Sequence, residues 1–127
     1  MGLESYRQLR IETSGSGVTE VVLDVSERLN AVDAEGHREL AYVWNDLDAD
    51  PATRVVLLRA EGRAFSAGGD FELIEAMISD PEVHRRTLRE ARDLVRNMID
   101  CSKPVVSAIN GPAVGAGLAA ALLADIP

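Results

Sequence analysis

Residues 54–70 run Arg54-Val55-Val56-Leu57-Leu58-Arg59-Ala60-Glu61-Gly62-Arg63-Ala64-Phe65-Ser66-Ala67-Gly68-Gly69-Asp70. Val55 to Leu58 is a continuous apolar run, too short for an ordinary helix and bounded by charge, which reads as a strand covered on both faces in a parallel sheet. The glycine-rich remainder leaves that strand as a loop. The pattern returns at Pro104-Val105-Val106-Ser107-Ala108-Ile109, a second buried strand, followed by Asn110-Gly111-Pro112-Ala113-Val114-Gly115-Ala116-Gly117. Two strand ends that each release a glycine-rich turn make a natural ligand site in an open sheet, although each alone is also ordinary turn punctuation. Neither contains the Gly-Lys-Ser/Thr of a P-loop or the Gly-x-Gly-x-x-Gly of a dinucleotide fold.

Working outward, Asp33 caps a helix whose apolar positions Leu40, Val43, Trp44 and Leu47 keep helical spacing and which Asp50-Pro51 ends. Residues 81–100 predict a second amphipathic helix, with Leu88, Ala91, Val95 and Met98 as its buried stripe. A small-residue helix is expected over about 115–124. At the start, Leu9 and Ile11 alternate with Arg10 and Glu12, residues 18–25 are rich in β-branched side chains, and Thr13-Ser14-Gly15-Ser16-Gly17 between them is turn material, so a β-hairpin opens the chain. The order hairpin, helix, strand, loop, helix, strand, helix predicts one α/β domain over residues 1–127, with both buried strands in one sheet.

The 127 residues carry a net charge of −8, which excludes a diffuse basic surface for nucleic acid or anionic lipid. Apolar residues at 46% and charged residues at 27% describe a folded globular protein. Cys101 is the lone cysteine, so no internal disulfide forms, and with His37 and His84 as the only histidines no zinc-type ligand set is expected; no metal is expected elsewhere. The longest small and apolar stretch, residues 113–124, is short of the roughly 20 residues needed to cross a bilayer. The opening residues lack a signal-peptide pattern, and Tyr6 stands where a myristoylation signal needs Ser or Thr. A cytoplasmic location is expected.

The motif Ala64-Phe65-Ser66-Ala67-Gly68-Gly69-Asp70, the stretch from Lys103-Pro104-Val105-Val106 through Asn110-Gly111 to Gly117, and Arg28-Leu29-Asn30-Ala31 before the first helix together resemble the enoyl-CoA hydratase/isomerase, or crotonase, family. The resemblance runs from about residue 18 to 126. It implies a crotonase-like α/β fold, a spiral of ββα units, of which this chain is the N-terminal part, stopping before the family's C-terminal helical region. It implies acyl-CoA thioesters as substrates, coenzyme A entering only as part of the substrate with no other cofactor, and homo-oligomers, trimers or hexamers.

By the same resemblance the backbone N–H groups of Gly69 and Ala116 form an oxyanion hole for a thioester enolate. Each preorganised donor of that kind contributes on the order of 3 kcal/mol. Gly68, Gly115 and Gly117 permit the backbone conformations this needs, and Ala116 at a helix N-terminus places developing charge where the macrodipole favours it. Ala31, Ala64, Ser66, Gly68 and Asp70 are the implied neighbours of the CoA moiety. Asp70 also reads as a helix cap, and by that reading it has no chemical role. Arg85, Arg89, Arg92 and Arg96 share a helix face that either meets CoA phosphates or is a solvated face pairing with Glu82, Glu90 and Asp93.

The pattern departs at Ala119, where hydratases of the family carry one of two glutamates that activate water; alanine neither accepts a proton nor orients water. Glu72 and Glu75 are nearby carboxylates expected on an exposed helix, and His37 and His84 are expected on helix surfaces. The leading reading is therefore an acyl-CoA hydratase or isomerase type of enzyme. Its rivals are a non-catalytic CoA-thioester binding or oligomerisation module that lost the glutamate, and a nucleotide-binding α/β protein.

Overall fold

The computed structural model describes residues 2–127. Strands β1 (Leu9–Thr13) and β2 (Val18–Leu23) form the expected antiparallel hairpin, with Leu9 opposite Leu23 and Thr13 opposite Thr19. Helix α1 (Ala34–Ala49) leads to β3 (Val55–Ala60), and helices α2 (Phe71–Ser79) and α3 (Pro81–Asp100) lead to β4 (Val105–Ser107). Helix α4 (Gly115–Leu123) follows. The sheet order is β1-β2-β3-β4, with β3 parallel to both β2 and β4.

Strand alternation sorts the sheet into two unlike faces. One presents Leu9, Val21, Leu23, Val56, Leu58 and Val105 to the helices, where they meet the α1 stripe of Leu40, Val43, Trp44 and Leu47, all buried. The Trp44 indole N–H donates to the Leu40 carbonyl at 2.8 Å, so the largest core side chain leaves no buried donor unmet. The other face carries a charge lattice. Arg10 reaches Glu12, Asp24 and Glu61 at 2.6–2.7 Å, and Arg59 reaches Glu20 and Glu61 at 2.6 and 2.8 Å. Beneath it Val22 is fully buried. The expectation that β3 is covered on both faces therefore holds for one face only: Val56 and Leu58 are buried, whereas Val55 and Leu57 point to the charged side and are half-buried. β4 is also shorter than the predicted strand, and Ile109 is exposed. Ile126 pairs with Val106 in a parallel bridge beyond it.

Helix α3 is where the apolar pattern misleads. The buried positions are Thr87, Glu90, Leu94 and Met98, while Leu88, Ala91 and Val95 of the predicted stripe are exposed. The reason lies in what α1 offers. His37 Nδ1 meets Glu90 Oε1 at 2.8 Å with both residues buried, the Tyr42 hydroxyl donates to Asp93 at 2.7 Å, and Asn97 donates to the Ala41 carbonyl at 2.8 Å. The α1–α3 seam is held by polar pairs, which hydrophobic periodicity cannot register. His37 is thus inside the protein and not on a helix surface; His84 is exposed, as expected.

A second buried carboxylate fixes the entry to β1. Glu39 of α1 accepts hydrogen bonds from the backbone N–H groups of Arg7, Gln8 and Leu9 at 3.0–3.2 Å. Three or more donors on one carboxylate compensate its removal from water.

Candidate active site

The two glycine-rich loops leave neighbouring strands of the sheet and continue side by side. Ser66 and Ala113 form a parallel bridge, the Phe65 and Ser66 amides donate to the Pro112 carbonyl at 3.0 and 3.1 Å, and Val114 N–H returns to the Ser66 carbonyl at 3.0 Å. The segment before α1 joins from the other side. Val32 bridges Gly69, its amide donating to the Gly68 carbonyl at 2.7 Å while Asp70 N–H donates to the Val32 carbonyl at 2.9 Å. All three motif segments are therefore brought together in one small parallel patch above the sheet.

Asn30 organises this patch, a role the sequence reading did not assign although it quoted the residue. It is buried, its Oδ1 accepts from Val25 N–H at 2.8 Å, and its Nδ2 donates to the Glu61 and Ala64 carbonyls at 2.8 and 3.0 Å. Its backbone carbonyl accepts from the Ser66 hydroxyl at 2.9 Å. With φ at +56° it occupies the left-handed region, where asparagine is one of the few tolerated side chains; that propensity was the available signal.

Ser66 is fully buried, and its hydroxyl also accepts from the Gly68 amide at 3.2 Å. Ser66 is thus a positioning residue for the loop. Ala64 is buried as well, Ala31 is half-buried, and Gly69 is exposed. Asp70 caps α2, its carboxylate accepting from Leu73 N–H at 2.8 Å, with the Arg28 guanidinium 3.7 Å away. Arg28 and Arg63 line an open cleft of about 740 Å³ with Ser26, Glu27, Leu29 and Gly62.

Gly68 and Gly115 have φ of +92° and +63°, conformations that cost other residues strain, and they pack next to one another. The position a Cβ on Gly115 would take is 3.4 Å from Gly68 Cα and 3.9 Å from the Gly69 nitrogen. Gly117 is required for a different reason from the one expected. It has no positive φ; instead a Cβ there would collide with Ser66. The hydrogen bonds that tie the segments together use the amides of Val32, Phe65, Ser66, Ala67, Asp70 and Val114, not those of Gly69 and Ala116. Ala116 is the second residue of α4, whose N-terminus has no side-chain cap. Uncapped first-turn N–H groups are donors awaiting an acceptor, and the helix dipole makes that acceptor preferably negative.

The remaining candidates lie apart from this junction chemically. Glu72 and Glu75 are exposed on α2, and Ala119 presents a half-buried methyl on α4. Arg85, Arg89, Arg92 and Arg96 are all exposed; Arg85 pairs with Glu82 and Arg92 with Asp93, while Glu90 turns inward to His37. Burial pushes the Cys101 thiol upward, away from the thiolate form a nucleophile needs. Among the described residues no group of three His, Cys, Asp or Glu side chains is placed to hold a metal ion, and no helix is long and apolar enough to cross a membrane.

Comparison with known proteins shows the family and the fold. Residues 13–127 match the enoyl-CoA hydratase/isomerase family. The 1,2-epoxyphenylacetyl-CoA isomerase of Escherichia coli is 36% identical over 112 residues, 87% of this chain and 43% of that protein. The (7aS)-7a-methyl-1,5-dioxo-2,3,5,6,7,7a-hexahydro-1H-indene-carboxyl-CoA hydrolase of Rhodococcus jostii is 37% identical over 114 residues, 90% of this chain and 43% of that protein. Among solved structures, an enoyl-CoA hydratase/isomerase from Mycobacterium paratuberculosis superposes with a TM-score of 0.90 at 37% identity, covering 94% of this chain and 47% of its own. The chain spans less than half the length of these relatives, and over that span its fold is crotonase-like. This chain belongs to the enoyl-CoA hydratase/isomerase family.

Proposed function

We propose that this chain carries the thioester-binding part of an acyl-CoA hydratase or isomerase type of enzyme, in which the Gly69 and Ala116 amides hold the thioester oxygen as it gains enolate charge. The observation that carries the reading is that Gly115, at the uncapped N-terminus of α4, packs so near Gly68 and Gly69 that an added Cβ would lie 3.4 Å from Gly68 Cα and 3.9 Å from the Gly69 nitrogen. Family membership supports it, and so does the spread of chemistry among relatives. An isomerase and a hydrolase stand at 36% and 37% identity to the same stretch, as expected if that stretch supplies carbonyl polarisation and the rest of each protein supplies the reaction.

In this reading the thioester carbonyl oxygen sits between the two amides, and the α4 dipole adds to them. Removal of a proton next to the carbonyl puts negative charge on that oxygen, and donors fixed before the reaction stabilise it without reorganising. Arg28 and Arg63, at the open cleft beside Ala31 and Ala64, meet the phosphates of the CoA moiety. Gly68 and Ser66 shape the loop, and Asp70 caps the helix that follows it.

The test removes one donor and little else. Proline is tolerated in the first turn of a helix and has no N–H, so Ala116→Pro deletes the Ala116 donor while keeping helical φ. Acetyl-CoA bound to the unaltered protein shows its thioester carbonyl stretch shifted to lower frequency in difference infrared spectra, and Ala116→Pro abolishes much of that shift. An unshifted carbonyl in the unaltered protein would sink the reading. In any assay of turnover the same substitution lowers kcat by about 100-fold or more.

A second reading rests on Ala119. With a methyl where hydratases carry a glutamate, the chain is a CoA-thioester binding or oligomerisation module without the hydration chemistry. Thioester binding with no hydration of crotonyl-CoA and no double-bond shift would favour it. In either reading we place the protein in the cytoplasm as a homo-oligomer, a trimer or hexamer; light scattering that gives a monomer would overturn the latter.

A further inference from the structure

The direction of the Gly69 N–H is set by a hydrogen bond on the other side of its peptide. The Gly68 carbonyl accepts from the Val32 N–H at 2.7 Å. A trans peptide points its C=O and N–H in opposite directions, so this bond turns the Gly69 N–H away from Val32. Every other backbone N–H from Phe65 to Asp70 has an acceptor. Phe65 and Ser66 use the Pro112 carbonyl, Ala67 the Leu29 carbonyl at 2.9 Å, Gly68 the Ser66 hydroxyl and Asp70 the Val32 carbonyl. Gly69 alone of this stretch makes no such bond among the described residues. Two adjacent glycines have no side chain to restrict the peptide plane between them, so its orientation comes from residues 29–32, which hold it on both sides.

Among the described residues, the only ones besides glycine with positive φ are in that segment, Leu29 at +55° and Asn30 at +56°. Asparagine tolerates the left-handed region and Asn30 is tied down by its side chain, whereas leucine has no polar group to offset the strain. Nor does a buried contact force it, since the Leu29 side chain is 36% exposed and takes no part in the apolar core. Backbone bonds hold Leu29 left-handed. Its N–H closes the 3-10 turn Ser26–Arg28 on the Ser26 carbonyl at 3.0 Å, and its carbonyl receives the Ala67 N–H. The chain reversal at Leu29-Asn30 then brings the Val32 N–H to the Gly68 carbonyl. On the oxyanion-hole reading, we infer that Leu29 is a positioning residue, whose left-handed backbone places the Ala67 and Val32 bonds that aim the Gly69 N–H at the thioester oxygen. Strain kept at an exposed leucine is repaid by a donor fixed before the reaction begins.

The experiment compares Leu29 variants by amide hydrogen exchange and by the thioester carbonyl stretch of bound acetyl-CoA. Leu29→Asn, which tolerates the left-handed region, is expected to match the unaltered protein in carbonyl shift and to unfold at an equal or higher urea concentration. Leu29→Val puts a β-branched residue where positive φ is least tolerated. Its Ala67 N–H is expected to exchange about tenfold faster or more, with exchange in β2 and β3 unchanged. Bound acetyl-CoA then loses about half of its carbonyl shift or more. A second variant replaces Val32 by its α-hydroxy acid, deleting only the N–H that the Gly68 carbonyl receives, and is expected to lose the shift to the same extent whether or not Leu29→Val folds. A full shift in Leu29→Val or in the Val32 ester, or a shift lost in Leu29→Asn, overturns the assignment and leaves the oxyanion-hole reading standing. An unshifted carbonyl in the unaltered protein is the failure of that reading itself, seen before any variant is made, and the assignment falls with it.

Discussion

Gly117 and Ser66 are packed so closely that a Cβ on Gly117 would lie 2.4 Å from Ser66 Cβ and 2.7 Å from its hydroxyl. One residue belongs to the second glycine segment and the other to the first, so the register of α4 on the Gly68–Gly69 loop depends on the absence of a single methyl. Gly117→Ala is expected to cost about 1–3 kcal/mol through overpacking, even though alanine is the better helix former. Urea denaturation measures it; an unchanged or raised midpoint would show that the two segments separate freely.

Asn30 carries three side-chain hydrogen bonds to backbone groups of two different loops. Asn30→Ala leaves a buried N–H and two carbonyls short of partners and places a Cβ-bearing residue without local compensation at positive φ. The expected loss is on the order of 3 kcal/mol. Because those loops carry Ala64 and Gly69, hydrogen exchange should quicken across 61–70 before it does in β2 or β3, and uniform exchange would contradict the assignment.

Asp70 is held to a capping role by its 2.8 Å bond from Leu73 N–H. Asp70→Asn keeps an acceptor and is expected to preserve stability, whereas Asp70→Ala costs about 1 kcal/mol. If Asp70→Asn instead matches the alanine variant, the charge facing Arg28 matters more than the cap, and salt titration of the two variants would display the difference.

The two tyrosines each donate to an aspartate, Tyr6 to Asp46 and Tyr42 to Asp93. For Tyr6 burial is the leading cause of a raised pKa, followed by the bond to Asp46; for Tyr42 the bond to Asp93 leads. Each contributes stability that is whole below the ordinary tyrosine pKa near 10 and declines as pH rises from there through the folded-state value. Absorbance at 295 nm should therefore show little phenolate at pH 10 while the protein stays folded. At the acid end, the Asp93 carboxyl is held low mainly by the Tyr42 bond, so its contribution is present above the usual aspartate range and fades as pH falls through the lowered value. A Tyr42→Phe protein should lose both dependences at that site.

Much of the architecture was legible because it rests on local chemistry. Asp33 and Asp70 ahead of helical spacing announced their caps, the run at 55–58 announced a central parallel strand, and the glycine segments marked the strand ends that the structure brings together. The α3 stripe was misread because Leu88, Ala91 and Val95 have the right period, yet Thr87 and Glu90 face inward. His37 was misplaced for the same cause: its partner is 53 residues away on another helix.

The sequence by itself determined which segments are strand, helix and turn, since those follow from periodicity, capping side chains and the conformations glycine permits. It also carried the family membership, in motifs whose residues are side by side in the chain. Only the tertiary structure decided which face of α3 is buried, that Ser66 and Asn30 hold the loops, and that Gly115 packs next to the Gly68–Gly69 turn. Those outcomes depend on pairings between residues dozens of positions apart. Such pairings are fixed by packing and by the need to satisfy each buried polar group, neither of which a one-dimensional pattern records.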